Sequence, residues 1–312
     1  MTGEGRPVLS VIVCTRERPA RLRRTLETLA GAHPPEVEWE LLVVDNGSGD
    51  DTARVVRELK GRLPLRTARE QRTGLSHARN RGAGAARGET LIWIDDDVEV
   101  PPGWLRAWWH GVRAHPGADF YGADIGVRFE EPPPPWIEAG WTRLGSLFAE
   151  RVAPGAGAPV TRDYLPYGAN FAIRADAQTR HPYDPALGRS GAGVMGGEET
   201  AVLEALLAAG AEGRWVAGAG LTHVIGPERV TPARIRRQLR ANARLPDPTP
   251  DGRATPGRVW LTRRWLLAEF RWRLLRPFAA PERWVDDFIA AAVWRGKLDG
   301  PVLRAARVPP PD

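Results

Sequence analysis

The sequence predicts an α/β fold in which helices flank a mostly parallel sheet and a helical C-terminal appendage follows. Apolar, β-branched runs such as VLSVIVC (residues 8–14) and TLIWI (residues 90–94) indicate strands buried on both faces. Segments of about ten residues with helical spacing separate these runs, which favours right-handed βαβ units. The chain has 312 residues, 42% hydrophobic and 26% charged, which excludes a globally disordered, collagen-like or coiled-coil protein.

Predicted strands and helices alternate regularly through the first part of the chain. The predicted strands are residues 8–14, 40–44, 63–67 and 90–94. The predicted helices between them are residues 21–30, 51–59 and 75–86. The turn DNGSG closes the second strand, because Asp, Asn and Gly tolerate the backbone angles that tight turns need.

The second part of the chain is less regular. A helix is predicted at residues 104–113 and a single strand at 119–128. The segment EEPPPP cannot lie inside a helix or strand, so a long surface excursion is expected from residue 130 to 164. A strand with its turn is predicted at 164–174 and a helix at 199–209, followed by a proline-rich linker at 246–256.

The positive charge of the chain is concentrated near its C-terminal end. Residues 228–312 contain 18 basic and 9 acidic residues, a net charge of +9. In this region five residues with 4-3-4-3 spacing share one helix face: Leu261, Trp265, Ala268, Trp272 and Leu275. Arginines surround that face, so it either lies peripherally on the inner face of an anionic membrane, packs on the catalytic domain, or makes a dimer contact. High pI alone does not indicate a nucleic-acid partner, and none is expected.

The single cysteine, Cys14, cannot form an intramolecular disulfide, and no Cys/His cluster has structural zinc spacing. No secretory segment and no run of 18 apolar residues is visible. The expected location is therefore the cytoplasm.

Polar side chains follow three of the predicted parallel strands. Thr15 follows the first strand, Asp45 the second, and Asp95, Asp96 and Asp97 the strand TLIWI. Ligands bind at the carboxyl ends of strands in open α/β sheets, although Asp and Thr are also common in turns and caps. Three adjacent carboxylates repel unless a cation joins them, which favours Mg²⁺ or Mn²⁺ bound to a diphosphate. This pattern indicates transfer from a nucleoside diphosphate donor.

In their order and spacing, seven segments resemble the inverting family 2 glycosyltransferases of the GT-A fold, from about residue 9 to residue 245. They are VIVCTRERP, VVDNGSGDDT, RTGLSHARNRGAGAARG, IDDDVEVPPGWL, YGANFAIRADA, GGEETAVLEALLAAG and THVIGPER. The resemblance implies a GT-A catalytic domain at residues 1–245, with a nucleotide-binding half at about 1–128 and an acceptor half at about 129–245. Residues 246–312 would form the linker and the basic helical region.

The resemblance also implies roles for individual residues. Thr15, Arg16 and Asp45 would line the nucleotide pocket, where Asp45 would hydrogen-bond the nucleobase. Arg79 and Asn80 would lie over the nucleotide and its phosphates. Asp95 and Asp97 would form the DxD motif around Asp96, with Asp97 as the metal ligand and Asp95 near the ribose or sugar. His223 matches a position where several family members supply an imidazole to the metal.

The general base is expected in the GGEET segment. Glu199 is the first choice, because the last acidic residue of this segment has that role in the family. The family more often has Glu-Asp here, so Glu198 stays open as the base, and an acidic first turn also suits the helix dipole. On the acceptor side, Trp136 and Tyr167 are expected to stack on the acceptor and Asn170 to bind hydroxyls, although such residues are as often packing residues.

The predicted function is metal-dependent, inverting transfer of a sugar to an acceptor hydroxyl from a nucleoside diphosphate sugar. UDP is favoured because Asp45 suits uracil, while dTDP and GDP stay open. The acceptor is a glycan, a lipid-linked glycan or a small molecule. Alternatives are a non-catalytic nucleotide-sugar or glycan-binding protein and a nucleotidyltransferase, although CTRERP lacks the glycines that a nucleotidyltransferase uses to grip a triphosphate.

Overall fold

The computed structural model describes residues 8–188, 196–244 and 257–300. They form two compact units. The first takes in the described residues of 1–128, 148–191 and 198–225, and the second those of 129–147, 192–197 and 226–312. The linker predicted at 246–256 lies outside the described residues. The predicted domain boundary at residue 245 stays a prediction.

The described residues form ten strands and eleven α-helices. The strands are β1 (Leu9–Thr15), β2 (Trp39–Asp45), β3 (Leu65–Arg69), β4 (Thr90–Ile94), β5 (Val98–Glu99), β6 (Phe120–Gly122), β7 (Ile125–Phe129), β8 (Asn170–Arg174), β9 (Gly213–Trp215) and β10 (Leu221–Ile225). The helices are α1 (Pro19–Ala30), α2 (Thr52–Leu59), α3 (Leu75–Ala85), α4 (Trp104–Ala114), α5 (Pro135–Ala139), α6 (Trp141–Leu144), α7 (Ala175–Arg180), α8 (Glu198–Ala208), α9 (Pro232–Asn242), α10 (Arg258–Leu275) and α11 (Val285–Asp299). Short 3-10 turns occur at Gly145–Phe148, Pro227–Arg229 and Pro281–Arg283.

The central sheet has seven strands in the order β3-β2-β1-β4-β8-β6-β9. β3, β2, β1 and β4 run parallel, whereas β8 is antiparallel to both β4 and β6. In the register of β1 with β2, Thr15 lies opposite Asp45, and Val13 lies opposite Ile94 of β4. The polar residues that follow these strands therefore meet at one edge of the sheet, which confirms the predicted mixed α/β fold.

Burial on both faces explains the apolar sequences of the central strands. Along β1, Val11 and Val13 belong to one hydrophobic cluster and Ile12 to another on the opposite face. All three side chains are buried. If polar and apolar residues alternated along these strands, polar side chains would lie in one of the two cores. The strands therefore have continuous apolar sequences.

The single strand predicted at residues 119–128 is wrong, because the chain changes sheets there. β6 lies in the central sheet and β7 in a second sheet of order β5-β10-β7. Between them, Asp124 Oδ1 accepts a hydrogen bond from the Ala153 backbone N–H, and the Asp124 carbonyl accepts one from the side chain of Asn170. These contacts redirect the chain at Asp124.

The surface excursion predicted at residues 130–164 is also wrong in part. Prolines end the preceding strand, but Pro135 then occupies the first turn of α5, where its fixed φ is compatible with a helix. Trp136, Ile137 and Leu144 of the short helices are buried. This part of the segment is a packed element of the second unit, not an exposed loop.

The C-terminal helices pack within the second unit. Leu261, Ala268 and Trp272 of α10 are buried, and the Trp272 ring lies 5.4 Å from that of Phe288 in α11. The apolar face that the sequence indicated therefore packs within the second unit, whereas contact of this helix with the catalytic domain, a membrane or a second copy stays a prediction. Among the described residues, no helix has both the length and the apolar character needed to cross a bilayer.

Candidate active site

An acidic cluster lies at the carboxyl edge of the central sheet. Single ligand atoms of Asp95, Asp97 and His223 all lie within 4.8 Å of one another. The aspartates follow β4 and immediately precede β5. His223 lies in β10, which pairs with β5, so that His223 is opposite Val98. Asp97 and His223 are buried, and Asp95 is half-buried. Sheet pairing thus brings a histidine distant in sequence to the acidic run.

The imidazole of His223 has a defined orientation. Its Nδ1 lies 2.5 Å from the carbonyl oxygen of Phe148, so Nδ1 carries a proton and donates it. Its Nε2 lies 3.2 Å from Oδ1 of Asp97. Two acceptor atoms that face each other at this distance need a proton or a metal ion between them. Two carboxylates and one imidazole suit Mn²⁺ or Mg²⁺, so the residues present fit a divalent cation.

Two arginines that the sequence analysis missed also contact the aspartates. Nη1 of Arg18 lies 2.6 Å from Oδ1 of Asp96 and 3.3 Å from Oδ2 of Asp97, and Nη1 of Arg21 lies 3.9 Å from the same Asp97 oxygen. Thr15 donates a hydrogen bond of 2.7 Å to the other oxygen of Asp96. Burial raises the pKa of Asp96, and Arg18 opposes that shift. The first turn of α1 thus faces the site.

Arg79 of α3 connects the acidic cluster to α8. Its guanidinium is buried and lies 3.2 Å from Glu198, 3.8 Å from Glu199 and 3.8 Å from Asp95. It also donates a hydrogen bond of 3.1 Å to the carbonyl of Gly168. Burial acts to lower the pKa of Arg79, but the carboxylates around it, Glu198 foremost, raise it overall. Arg79 therefore stays a cation and holds these carboxylates together.

The two candidate bases differ in accessibility. Both lie in the first turn of α8, but the side chain of Glu198 is 3% exposed and that of Glu199 is 15% exposed. Oε1 of Glu199 accepts a hydrogen bond of 3.3 Å from the backbone N–H of Gly168. Glu199 is therefore the carboxylate that an incoming hydroxyl can reach more easily.

Other residues expected at the nucleotide form local contacts. Asp45 is half-buried and accepts a hydrogen bond of 2.8 Å from Ser48 N–H. The side-chain amide of Asn80 bonds both the N–H and the carbonyl of Tyr183. Nη1 of Arg16 is buried and has no hydrogen-bond partner among the described residues. The roles of these three residues stay predictions.

The residues expected at the acceptor belong to both units, Tyr167 and Asn170 to the first and Trp136 to the second. The guanidinium carbon of Arg151 lies 3.9 Å from the centroid of the Tyr167 ring. Burial raises the pKa of Tyr167. Asn170 is buried, and its amide N–H₂ donates to two backbone carbonyls, so its side chain holds the fold together. Trp136 belongs to the second unit, where its ring packs 5.3 Å from that of Phe288.

Asn46 is a structural residue of this edge that sequence analysis missed. Its amide nitrogen donates to the carbonyls of Glu70 and Arg72, and its Oδ1 accepts from the N–H of Gly74. It thereby fixes the end of β2 to the loop between β3 and α3. Its position directly after Asp45 in the turn DNGSG was the available signal.

A sheet of this order with an acidic cluster at its carboxyl edge has the GT-A fold of glycosyltransferases, and solved structures with that fold resemble it. A mannosyltransferase from Pyrobaculum calidifontis, in complex with GDP-Man and Mn²⁺, is 17% identical with a TM-score of 0.55, covering 94% of this chain and 88% of that chain. TarS 1-349 of S. aureus, in complex with UDP-GlcNAc, is 19% identical with a TM-score of 0.53, covering 91% of this chain and 81% of that one.

A family model and curated relatives match part of the sequence. Residues 10–150 match the family model described as glycosyl transferase family 2. Validoxylamine A glucosyltransferase of Streptomyces hygroscopicus subsp. limoneus is 36% identical over 113 residues, which are 36% of this chain and 24% of that protein. Hyaluronan synthase of Pasteurella multocida is 34% identical over 104 residues, 32% of this chain and 10% of that protein. The chain thus covers a quarter or less of the length of these two relatives.

Proposed function

We propose that this chain transfers a sugar from a nucleoside diphosphate sugar to an acceptor hydroxyl, with a divalent cation and with inversion at the anomeric carbon. The observation that carries the proposal is the position of Arg79. Its guanidinium lies 3.8 Å from Asp95 of the acidic cluster and 3.8 Å from Glu199 of α8. The candidate metal site and the candidate general base are therefore both within 4 Å of the Arg79 guanidinium.

The cation would be held by Asp95, Asp97 and His223. When bound there it would supply a positive charge that stabilises the departing diphosphate as a Lewis acid. The oxygen and nitrogen ligands of this cluster support Mn²⁺ or Mg²⁺. The Mn²⁺ complex of the Pyrobaculum mannosyltransferase is consistent with this assignment.

Glu199 is the proposed general base. Its carboxylate would take the proton of the acceptor hydroxyl while that oxygen bonds to the anomeric carbon. The bond between this carbon and the diphosphate oxygen breaks in the same displacement, and its electron pair leaves with the nucleoside diphosphate. Arg79, kept charged by its carboxylate neighbours, would hold the base and the phosphates in place.

Thr15, Arg16 and Asp45 are proposed to bind the nucleoside, with Asp45 on the nucleobase, and Asn80 is proposed to lie over the nucleotide and its phosphates. UDP is the preferred nucleotide because the carboxylate of Asp45 can accept a hydrogen bond from the ring N–H of uracil. Tyr167 is proposed to stack on the acceptor. The acceptor hydroxyl belongs to a glycan, a lipid-linked glycan or a small molecule.

Hydrolysis of the donor by water tests this proposal without knowledge of the acceptor. UDP-glucose, UDP-GlcNAc and GDP-mannose are each incubated with the full chain and Mn²⁺, and proton NMR follows the anomer released first. We expect one α-linked donor to release the β anomer first, and a Glu199→Gln variant to release none. Nucleotide binding without any turnover indicates a non-catalytic binding protein, and initial release of the α anomer excludes the inverting mechanism.

A further inference from the structure

Helix α10 has a second apolar face, which is exposed. Val259, Leu266, Leu267, Phe270 and Leu274 form this face, and each has more than half of its surface exposed. Their spacing of three, four and seven residues places them on one side of the helix. We call it the Phe270 face. It lies opposite the face formed by Leu261, Ala268 and Trp272, which is buried within the second unit.

The exposed apolar side chains are not scattered over the protein. Among the described residues, eight large hydrophobic side chains are exposed, and seven of them lie between residues 259 and 278. Phe278, just beyond the helix end, is 88% exposed. The eighth is Val152 in the first unit. Single exposed apolar residues are ordinary, but a contiguous group of this size marks an interaction surface.

Positive charge accompanies this apolar surface. Arg263 lies within the Phe270 face, four residues after Val259 and four before Leu267, and its side chain is exposed. Arg264, Arg271 and Arg273 are exposed beside the face, where Arg271 also pairs with Asp287 of α11 at 3.1 Å and Arg273 with Glu269 at 2.7 Å. The only acidic residue of α10 is Glu269, which is buried and forms an ion pair of 2.9 Å with Arg236 of α9. The surface that α10 offers to a partner is therefore apolar and cationic.

We propose that the Phe270 face binds the surface of an anionic lipid bilayer, with α10 lying in the plane of the interface. The apolar side chains would enter the boundary between headgroups and acyl chains, and the flexible arginines would extend to the lipid phosphates. A second copy of the chain is a poorer partner. A twofold contact would set the same face against itself, so that arginines would meet arginines with no exposed carboxylate of α10 between them.

Flotation of the full chain with lipid vesicles tests this surface directly. One set of vesicles contains phosphatidylcholine alone, and the other also contains phosphatidylglycerol. We expect binding to the anionic vesicles only, weakened by added salt because screening reduces the attraction of the arginines. Leu266→Ser and Phe270→Ser are each expected to lower the partition coefficient about tenfold. The matched control is Val152→Ser, which removes an equally exposed side chain elsewhere and should leave binding unchanged.

A charge variant separates the arginines from the apolar contact. Arg263→Gln is expected to lower binding to anionic vesicles about fivefold, whereas Arg57→Gln on the exposed side of α2 should have no effect. Circular dichroism and urea unfolding establish that each variant is folded, as expected for exposed positions. Absence of binding to anionic vesicles overturns the proposal. So does a wild-type chain that is dimeric and becomes monomeric on Phe270→Ser, because the face would then be an interface between copies.

Discussion

A guanidinium nitrogen of Arg79 lies 3.2 Å from a carboxylate oxygen of Glu198, and both side chains are almost completely buried. Glu198 is thereby held in an ion pair, while its neighbour Glu199 is more exposed and 3.8 Å from the same nitrogen. The two adjacent glutamates therefore have different environments and should respond differently to the same substitution.

Glu199→Gln should reduce the rate of sugar transfer or donor hydrolysis by about 100-fold to 10,000-fold, because the amide cannot take a proton. Donor affinity and the free energy of unfolding should change little. Steady-state turnover and calorimetric donor binding measure both. A variant that retains wild-type turnover would remove Glu199 from the role of base.

Glu198→Gln should instead destabilise the fold by about 3 kcal/mol, since it removes the nearest carboxylate partner of a buried guanidinium. Urea unfolding of this variant beside Glu199→Gln gives the comparison. If Glu198→Gln is as stable as the wild type but inactive, Glu198 is the general base and Glu199 is the residue that supports Arg79.

Gly168 is required by its close approach to Arg79. A Cβ at Gly168 would lie 2.4 Å from Nη2 of Arg79, so Gly168→Ala should displace the guanidinium. We expect a loss of about 1–3 kcal/mol in stability and weaker donor binding. Gly84 in α3 is the matched control, because a Cβ there meets no atom within 4 Å. Gly84→Ala should stabilise the protein by about 0.5–1 kcal/mol. Equal effects on unfolding would show that the contact with Arg79 is unimportant.

Glu70 should make stability depend on pH. Hydrogen bonds from Arg72 lower the pKa of Glu70 from 4.5 to about 2. Because the pKa is lower in the folded state, the ionised carboxylate stabilises the fold above about pH 4.5, and this contribution is lost as pH falls towards 2. Arg72 is exposed, so the contribution is only about 1–2 kcal/mol.

Glu70→Gln should therefore lower the free energy of unfolding at neutral pH and make its fall at acid pH shallower. Glu38→Gln, at an exposed glutamate, is the control. Urea unfolding at neutral pH and near pH 3 measures the difference. A gap between Glu70→Gln and the wild type that persists unchanged at acid pH would contradict the assignment.

Cys14 should be unreactive in the folded protein. Burial raises the pKa of its thiol to about 12, and the thiolate is the reactive species. Alkylation by iodoacetamide near pH 8 should be at least about 100-fold slower in the native protein than in guanidinium chloride. Because the chain has one cysteine, mass spectrometry reads this rate without ambiguity. Similar rates in the two states would mean that the thiol is accessible at the carboxyl end of β1.

The parallel half of the fold could be predicted from the sequence, because both faces of its strands are buried. β4, for example, spans the predicted residues Thr90–Ile94. The errors lie where local patterns and tertiary contacts disagree. The strand predicted at 119–128 divides at Asp124, where the contacts that redirect the chain come from Ala153 and Asn170. No local pattern reveals such partners.

The candidate site divides in the same way. Asp95 and Asp97 could be located at a strand end from sequence, whereas His223 was identified only by its resemblance to a family motif. Arg18 was missed because an arginine at the start of a helix ordinarily indicates a solvated position. Only the pairing of β1 with β4 brings Arg18 to Asp96 and Asp97. The proposed roles of all these residues stay predictions.

Calorimetric binding of UDP, dTDP and GDP with and without Mn²⁺ tests the central proposal most directly. The wild type is compared with Asp97→Ala and with Asp163→Asn, a control at an exposed aspartate. We predict that one nucleotide binds the wild type and the control only with Mn²⁺, and that Asp97→Ala weakens this binding by at least about 100-fold. Nucleotide binding that is equally strong without metal, or unchanged in Asp97→Ala, would contradict the proposed metal site.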